Sequence, residues 1–165
     1  CHVSEQTRMR LDQQLQLWYL GRPHQSFKIH EEVIRRFETV PAAQALLDPL
    51  RDAAKAAVDA LSRGDLDQYG LALQHNTCGQ QALHPALICT DAQHIIDIAQ
   101  RAGALGWKVN GAGGDGGSVS ILWADAASKQ RAISAISTAI PNAINIPITI
   151  SMAGVTTDVF TEEDS

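Results

Sequence analysis

Five glycines fall within seven consecutive positions, after one predicted strand, WKVN, and before a second, SVSILWA. They are Gly111, Gly113, Gly114, Gly116 and Gly117. A hairpin needs one or two glycines, and each further glycine costs about 0.5–1 kcal/mol of conformational entropy. The excess indicates that a ligand or another backbone segment lies against the loop, with N–H groups available to an anion. A plain flexible turn is the alternative.

The segment Gly111-Ala112-Gly113-x-x-Gly116 has the glycine spacing of dinucleotide-binding loops. In those loops the glycines open a helix whose N-terminus meets the pyrophosphate. Here a strand pattern follows the glycines, which argues against a dinucleotide site. No Gly-Lys-Ser or Gly-Lys-Thr ends the run, so the pattern also argues against the phosphate loop of P-loop NTPases.

Helix start and stop signals recur along the chain. Asp48 as N-cap begins one predicted helix and Gly64 ends it, while Asp65 caps the next helix. Thr90 is predicted to cap another helix, and Asp125 begins the last predicted helix. An amphipathic pattern before these, within QSFKIHEEVIRRFETV, predicts a further helix that ends ahead of a proline.

Strand patterns flank these helices. Residues 12–21 alternate with Leu15, Leu17 and Tyr19 on the predicted apolar face, and residues 143–152 alternate isoleucines, with Pro147 indicating an edge strand. The order is strand, several helices, strand, glycine loop, strand, helix, strand. This order predicts an α+β, ferredoxin-like split βαβ fold: a four-stranded antiparallel sheet with extra helices inserted after the first strand.

Composition limits the classes of function. A length of 165 residues with 45% apolar residues predicts one folded domain. The net charge of -5, with 13 scattered basic residues, argues against nucleic-acid binding. No transmembrane or signal segment is evident, so we expect a cytoplasmic protein without a membrane partner. The chain begins with Cys1 rather than Met, which indicates that a longer protein contains it.

Metal and nucleophile patterns are weak. The three cysteines form no CxxC pair, which predicts reduced thiols. The six histidines lack zinc-ligand spacing, so we predict no metal site. Cys78 has no activating neighbour in the sequence, and a thiol on a helix face is the simpler interpretation. No catalytic residue is assigned within this chain.

The glycine run and its surroundings resemble the third motif of the GHMP kinases, the superfamily of galactokinase, homoserine kinase, mevalonate kinase and phosphomevalonate kinase. That motif is approximately Lys-x-x-Gly-Ala-Gly-Gly-Gly-Gly before a strand. The matching residues are Lys108, Gly111, Ala112, Gly113, Gly114, Gly116 and Gly117. A weaker match to the sugar-kinase branch covers Gly21, Arg22 and Ser26.

Two departures from the family pattern are evident. Asp115 replaces a glycine and puts direct phosphate contact by the loop in doubt; a solvated turn residue and a partner for a substrate hydroxyl or magnesium are the alternatives. The phosphate-binding motif Pro-x-x-x-Gly-Leu-Gly-Ser-Ser-Ala is absent from the 165 residues. The resemblance therefore implies a missing N-terminal kinase domain, in the same chain or as a separate subunit.

The resemblance implies three regions: residues 1–12, the end of the missing domain; residues 13–155, the kinase C-terminal-like domain; and residues 156–165, a charged tail. The complete enzyme would transfer the γ-phosphoryl group of ATP, with magnesium, to a hydroxyl of a sugar, sugar phosphate or similar metabolite. Neither cofactor is expected to bind this chain tightly by itself. The alternatives are a stand-alone ligand-binding or regulatory module, or one subunit of a split kinase; a homodimer is also left open.

The resemblance also suggests site residues. The glycine loop with Ala112 would bind the cofactor. Asn76 and Gln80, four apart on a predicted helix, would line a pocket that faces the loop, with Asn76 in contact with substrate. Arg22 would clamp an anionic group of the substrate, and Asp115 would contact its hydroxyl. Solvent-exposed side chains are the alternative for all four of these polar residues.

Overall fold

The computed structural model describes residues 3–22, 27–111, 113–151 and 157. Within these residues the chain forms six α-helices and four strands. The helices are α1 (Glu5–Gln14), α2 (Phe27–Thr39), α3 (Asp48–Arg63), α4 (Leu66–Leu83), α5 (Thr90–Arg101) and α6 (Ala126–Ala139). The strands are β1 (Leu15–Tyr19), β2 (Ala104–Val109), β3 (Ser118–Trp123) and β4 (Ile144–Ile146). Short 3₁₀ helices cover Pro41–Leu47 and Pro85–Leu87.

The four strands form one antiparallel sheet in the order β2-β3-β1-β4. Leu17 lies opposite Ser120 on β3 and opposite Ile146 on β4, so β1 and β3 are the central strands. Three helices, α2 to α4, are inserted between β1 and the α5–β2 unit. The predicted ferredoxin-like fold is therefore confirmed, including the helices added after the first strand.

The sheet has two covered faces. On one face the main core joins β1, β2 and β3 to α5 and α6, with Trp18, Ile121 and Trp123 fully buried. On the other face a smaller cluster joins Leu66 and Leu73 of α4 to the sheet. Helix α3 packs on the outer side of α4. The α4 face leads directly to the glycine loop, because α4 runs along β2.

Strand β1 differs from the sequence prediction in two ways. Residues 12–14, predicted as strand, form the last turn of α1, a helix that the prediction missed. The buried positions of β1 are Gln16 and Trp18, whereas the predicted apolar face is only half-buried. A hydrogen bond explains the burial of Gln16, because the indole Nε1 of Trp123 donates to Gln16 Oε1 at 2.8 Å inside the main core. A buried indole needs an acceptor, and Gln16 supplies it.

Helix caps and strand ends agree in part with the prediction. Asp65 accepts a hydrogen bond from the backbone of α4 at 3.0 Å, as predicted. The predicted caps Asp48 and Thr90 are instead the first helical residues of α3 and α5, because 3₁₀ and extended segments lead directly into those helices. Strand β4 lies at the sheet edge and ends before Pro147, so it is shorter than predicted. None of the described helices has the length and apolar character needed to cross a membrane.

The cap of α6 gives the first testable prediction. The backbone N–H of Ser128 donates to Asp125 Oδ1 at 2.7 Å, and this bond is the largest cause of a pKa for Asp125 below the ordinary value of 3.8. A carboxyl with a lowered pKa stabilises the fold above its unfolded pKa and loses that contribution as pH falls through the folded value. Wild type should therefore exceed Asp125→Asn in stability at pH 6.

That advantage should disappear as pH falls below about 4. Urea denaturation of both proteins from neutral to acid pH checks the prediction. Asparagine keeps the cap acceptor and removes only the titrating charge, so a stability difference that does not change with pH would contradict it.

Candidate functional site

The glycine loop joins β2 to β3 at the end of the sheet. Asn110 closes its base: its backbone N–H donates to Ser118 O at 2.9 Å, and its side-chain Nδ2 donates to the hydroxyls of Ser118 and Ser120 at 3.1 and 2.9 Å. At the far end, Leu20 N donates to Gly117 O at 2.9 Å. The loop is thus attached both to its own hairpin and to the chain leaving β1.

The glycines of the loop adopt backbone conformations that other residues rarely adopt. The φ angles of Gly111, Gly113, Gly114, Gly116 and Gly117 are 61°, 69°, 92°, 155° and 87°. A Cβ atom on Gly113 would overlap the carbonyl oxygen of Leu87. Gly114 N donates to the same oxygen at 3.0 Å, and Gly114 pairs with Ile88. The backbone of residues 87–88 is therefore what lies against the loop, one of the two options predicted from the excess of glycine.

A pocket of about 300 Å³ opens beside Gly111. Its polar lining is Asn76, Gln80 and Lys108. Its remaining walls are apolar and come from α2, α3, α4 and the segment after α4: Val33, Leu50, Leu83 and Leu87. The predicted pocket between α4 and the glycine loop is therefore present, with both Asn76 and Gln80 in its wall.

Two polar side chains of this pocket are unusually placed. Gln80 is only 6% exposed and donates through Nε2 to Gly111 O at 3.2 Å, but its Oε1 is buried without a partner among the described residues. Burial lowers the pKa of Lys108 below its ordinary value of 10.5, because the ammonium ion loses solvation. Lys108 Nζ donates to the carbonyl oxygen of Val109 at 2.8 Å.

A second cluster lies on the other side of residues 87–88. Arg22 forms an ion pair with Asp91 of α5, and its other nitrogen lies 3.5 Å from Asp115 Oδ1. The Asp115 side chain is 78% exposed. A second pocket here is lined by Arg22 and Asp115 with Ile29, Ala86, Ile88, Cys89 and Thr90.

Several solved structures of other proteins have a fold similar to that of this chain. Mevalonate kinase of L. major, in complex with R-mevalonate, matches 80% of this chain with a TM-score of 0.68 and 21% identity. The Lin0012 protein of Listeria innocua matches 81% with a TM-score of 0.72 and 14% identity. A D-glycero-D-manno-heptose 1-phosphate kinase of Bacteroides thetaiotaomicron matches 89% with a TM-score of 0.52 and 16% identity. This is the fold of part of the GHMP-type kinases.

This chain covers well under two thirds of each of these solved proteins. The chain spans 42%, 38% and 36% of the lengths of these three proteins, about two fifths of each. No protein-family model matches the sequence, and no curated protein matches it by sequence comparison. The likeness to GHMP-type kinases is thus a likeness of fold.

The structure separates the site residues predicted from the GHMP resemblance into two clusters. Asn76 lies with Gly111 in the first pocket, whereas Arg22 and Asp115 lie together in the second. Ala112 lies outside the described residues. The sequence prediction missed Asp91, which pairs with Arg22 from a distant helix, and it gave Lys108 no role beyond its motif match. The position of Lys108 at the start of the matched glycine motif was the signal that could have assigned it a place in the site.

The loop amides and the carboxylates are the groups of this chain that could bind the ATP and magnesium used by kinases. The N–H groups of Gly114, Gly116 and Gly117 already donate to Leu87 O, Gly114 O and Arg22 O. Groups that are engaged within the chain do not form a phosphate cradle. The described part of the chain also lacks any group of three His, Cys, Asp or Glu side chains suited to a metal ion. Of the loop amides, those of Gly114, Gly116 and Gly117 therefore do not fit a phosphate group in this conformation.

Proposed function

We propose that this chain is one domain of a GHMP-type kinase that transfers the γ-phosphoryl group of ATP to a hydroxyl of a small metabolite, most readily a sugar or sugar phosphate. The supporting observation is the glycine loop, which residues 87–88 hold in place beside two pockets that each contain polar side chains. The fold shared with mevalonate and heptose-phosphate kinases supports the same assignment.

In this proposal the chain supplies one wall of the active-site cleft. Asn76, Arg22 and Asp115 contact the acceptor, and the loop fixes the spacing between the two pockets. The ATP phosphates are bound by a further kinase domain, in the same chain or in a separate subunit, because the loop amides described above are engaged. Catalysis then rests on orientation of the acceptor and on electrostatic stabilisation within the closed cleft.

The test is an ADP-release assay on the natural protein that contains this chain together with any further kinase domain. Purified protein is mixed with ATP and magnesium and a panel of sugars, sugar phosphates and hydroxy acids. We expect ADP formation that depends on one acceptor class and is absent from the 165-residue chain alone. Saturable acceptor binding without any ADP release from the joined protein would refute the kinase proposal.

A substitution that removes the charge of Arg22 tests the acceptor site. Replacing Arg22 by Gln removes the planar cation that pairs with an anionic substrate group, so we expect kcat/KM of the joined enzyme to fall about tenfold. The free energy of unfolding should change by less than about 1 kcal/mol, because the ion pairs of Arg22 are at the surface. Arg51→Gln is the matched control, since Arg51 forms a similar exposed pair with Asp48. Equal kinetics for the two variants would remove Arg22 from the acceptor site.

One observation favours a second candidate, a binding or regulatory module without catalysis. The engaged amides and the pairing of Arg22 with two carboxylates leave a site suited to a neutral or weakly charged ligand rather than to a triphosphate.

Sedimentation velocity over a range of concentrations distinguishes a single-chain kinase from one that is divided between subunits. Association of the chain with a second copy or with a separate kinase subunit would favour the subunit form of the proposal.

A further inference from the structure

Helix α2 contributes to the walls of both pockets but buries little of its own surface. Val33 lines the first pocket, beside Gly111, and Ile29 lines the second. Of the α2 side chains whose burial the structure describes, none is fully buried. Packing therefore holds this helix weakly, and its polar contacts determine more of its position.

The described side-chain contacts that join α2 to other elements by hydrogen bond or ion pair lie at the C-terminus of α4. Arg36 Nη1 donates to Leu83 O at 3.0 Å, and Glu32 Oε2 lies 3.0 Å from Nε2 of His84, the residue that follows α4. The Arg36 cation is favourable there because a helix C-terminus has a partial negative charge. Both contacts attach α2 directly ahead of the segment that holds the glycine loop.

The imidazole ring of His84 makes a contact through each of its two nitrogens. Nδ1 accepts a hydrogen bond from Ala86 N at 3.2 Å, which caps the 3₁₀ helix Pro85–Leu87. A ring nitrogen that accepts a hydrogen bond has no proton, so the neutral imidazole has its proton on Nε2 and donates it to Glu32. The same ring therefore binds α2 and the segment after α4.

The segment capped by His84 holds the glycine loop. Leu87 N donates to His84 O at 3.0 Å, and Leu87 O accepts a hydrogen bond from Gly114 N at 3.0 Å. Gly114 is buried, and Ile88 pairs with it in a parallel bridge. One imidazole ring and one short 3₁₀ helix thus join α2 to the loop.

We propose that His84 is a positioning residue that fixes helix α2 and the glycine loop relative to each other. Both elements form walls of the two pockets, so the spacing of the groups that contact the acceptor depends on this ring. His84 lines neither pocket and acts through these two elements. This role in the reaction rests on the proposed kinase function, whereas the contacts of the ring can be tested without any activity.

Two substitutions separate the contacts of the two ring nitrogens. In His84→Asn the side-chain oxygen replaces Nδ1 as the cap acceptor, and the contact with Glu32 is lost. In His84→Gln the longer amide reaches Glu32, and the cap is lost. Hydrogen exchange of the backbone amides, followed by NMR on the 165-residue chain, compares the two variants with wild type.

The two variants should change exchange in different places. His84→Asn should speed exchange of the α2 amides about two- to fivefold and leave that of Gly114 unchanged, because it removes one exposed pair. His84→Gln should speed exchange of Gly114 about fivefold and leave that of α2 unchanged, because it removes a cap. His75→Asn, at an exposed histidine of α4, is the control and should change neither. Equal changes of α2 and Gly114 in both His84 variants would overturn the proposal.

A measurement on the unaltered chain requires no variant to fold. The ring nitrogens of His84, observed by NMR at about pH 8, should show the tautomer with its proton on Nε2. A proton on Nδ1 would overturn the proposal, since that nitrogen could not then accept from Ala86.

The joined enzyme tests the consequence for the reaction. Each His84 variant should lower kcat/KM for the acceptor about three- to tenfold, because the pocket walls lose their relative position, and His75→Asn should not. Unchanged kcat/KM in both His84 variants of an active enzyme would overturn the positioning role. A joined protein without ADP release would instead contradict the kinase function, and the exchange pattern would still decide whether His84 joins α2 to the loop.

Discussion

Replacing Gly113 by Ala should destabilise the fold by about 2–4 kcal/mol. Gly113 has a φ of 69°, a left-handed conformation that costs a residue with a Cβ roughly 1–2 kcal/mol. The new methyl group would also overlap the carbonyl oxygen of Leu87, so the loop must move away from residues 87–88. That movement breaks the bond from Gly114 N to Leu87 O, worth about 1 kcal/mol. Urea denaturation monitored by tryptophan fluorescence measures the loss.

Gly117→Ala is the matched control within the same loop. Gly117 has a φ of 87°, but a Cβ there would meet nothing within 4 Å. Alanine at this position therefore has the conformational cost without the overlap, and we expect a loss of about 1–2 kcal/mol. The difference between the two variants isolates the contact with Leu87. Equal losses would mean that the loop is not held by that segment in solution.

Gly70→Ala should be destabilising although it lies in the interior of a helix. At an unobstructed helical position, alanine in place of glycine gains about 0.5–1 kcal/mol. At Gly70 the added Cβ would lie 2.5 Å from the carbonyl oxygen of Leu105, which belongs to a strand and cannot move independently. Helix α4 must withdraw from β2, which weakens the bonds from Gln74 Nε2 to Leu105 O and from Thr77 Oγ1 to Trp107 O. The expected net loss is about 2–3 kcal/mol by urea denaturation.

Gly79→Ala on the same helix is the control for Gly70. A Cβ at Gly79 would lie 2.9 Å from Cδ2 of Leu50, the far end of a flexible side chain that can change its rotamer. We expect the gain in helix propensity and the adjustment of Leu50 to cancel within about 1 kcal/mol. A loss at Gly79 as large as that at Gly70 would contradict the argument, since the two positions differ in what their Cβ atoms meet.

Much of the fold was predictable because local signals agree with one another. Asp65 and Asp125 act as the predicted caps, and Gly64 ends α3 in the left-handed conformation. Helix α1 was missed because its sequence, EQTRMRLDQQ, has few apolar residues and no clear stripe. Its start depends on a weaker signal, Ser4, whose hydroxyl accepts a hydrogen bond from Thr7 N at 3.1 Å.

The two sides of the candidate site were predictable to different degrees. Asn76 and Gln80 are four residues apart on one helix, so helical geometry alone places them in the same pocket wall. The pairing of Arg22 with Asp91 joins segments that are remote in sequence, and no local pattern indicates it. The burial of Gln16 likewise depends on Trp123, a partner that only the sheet register brings near.

The contact between the glycine loop and residues 87–88 also limits how this loop can be reused in protein engineering. The conformation of Gly113 and Gly114 does not depend on the loop alone, because the carbonyl of Leu87 accepts a hydrogen bond from Gly114 and leaves no room for a side chain at Gly113. A graft of the loop into another hairpin would carry its sequence without its conformation. The smallest transplantable unit includes the 3₁₀ segment Pro85–Leu87 together with the loop.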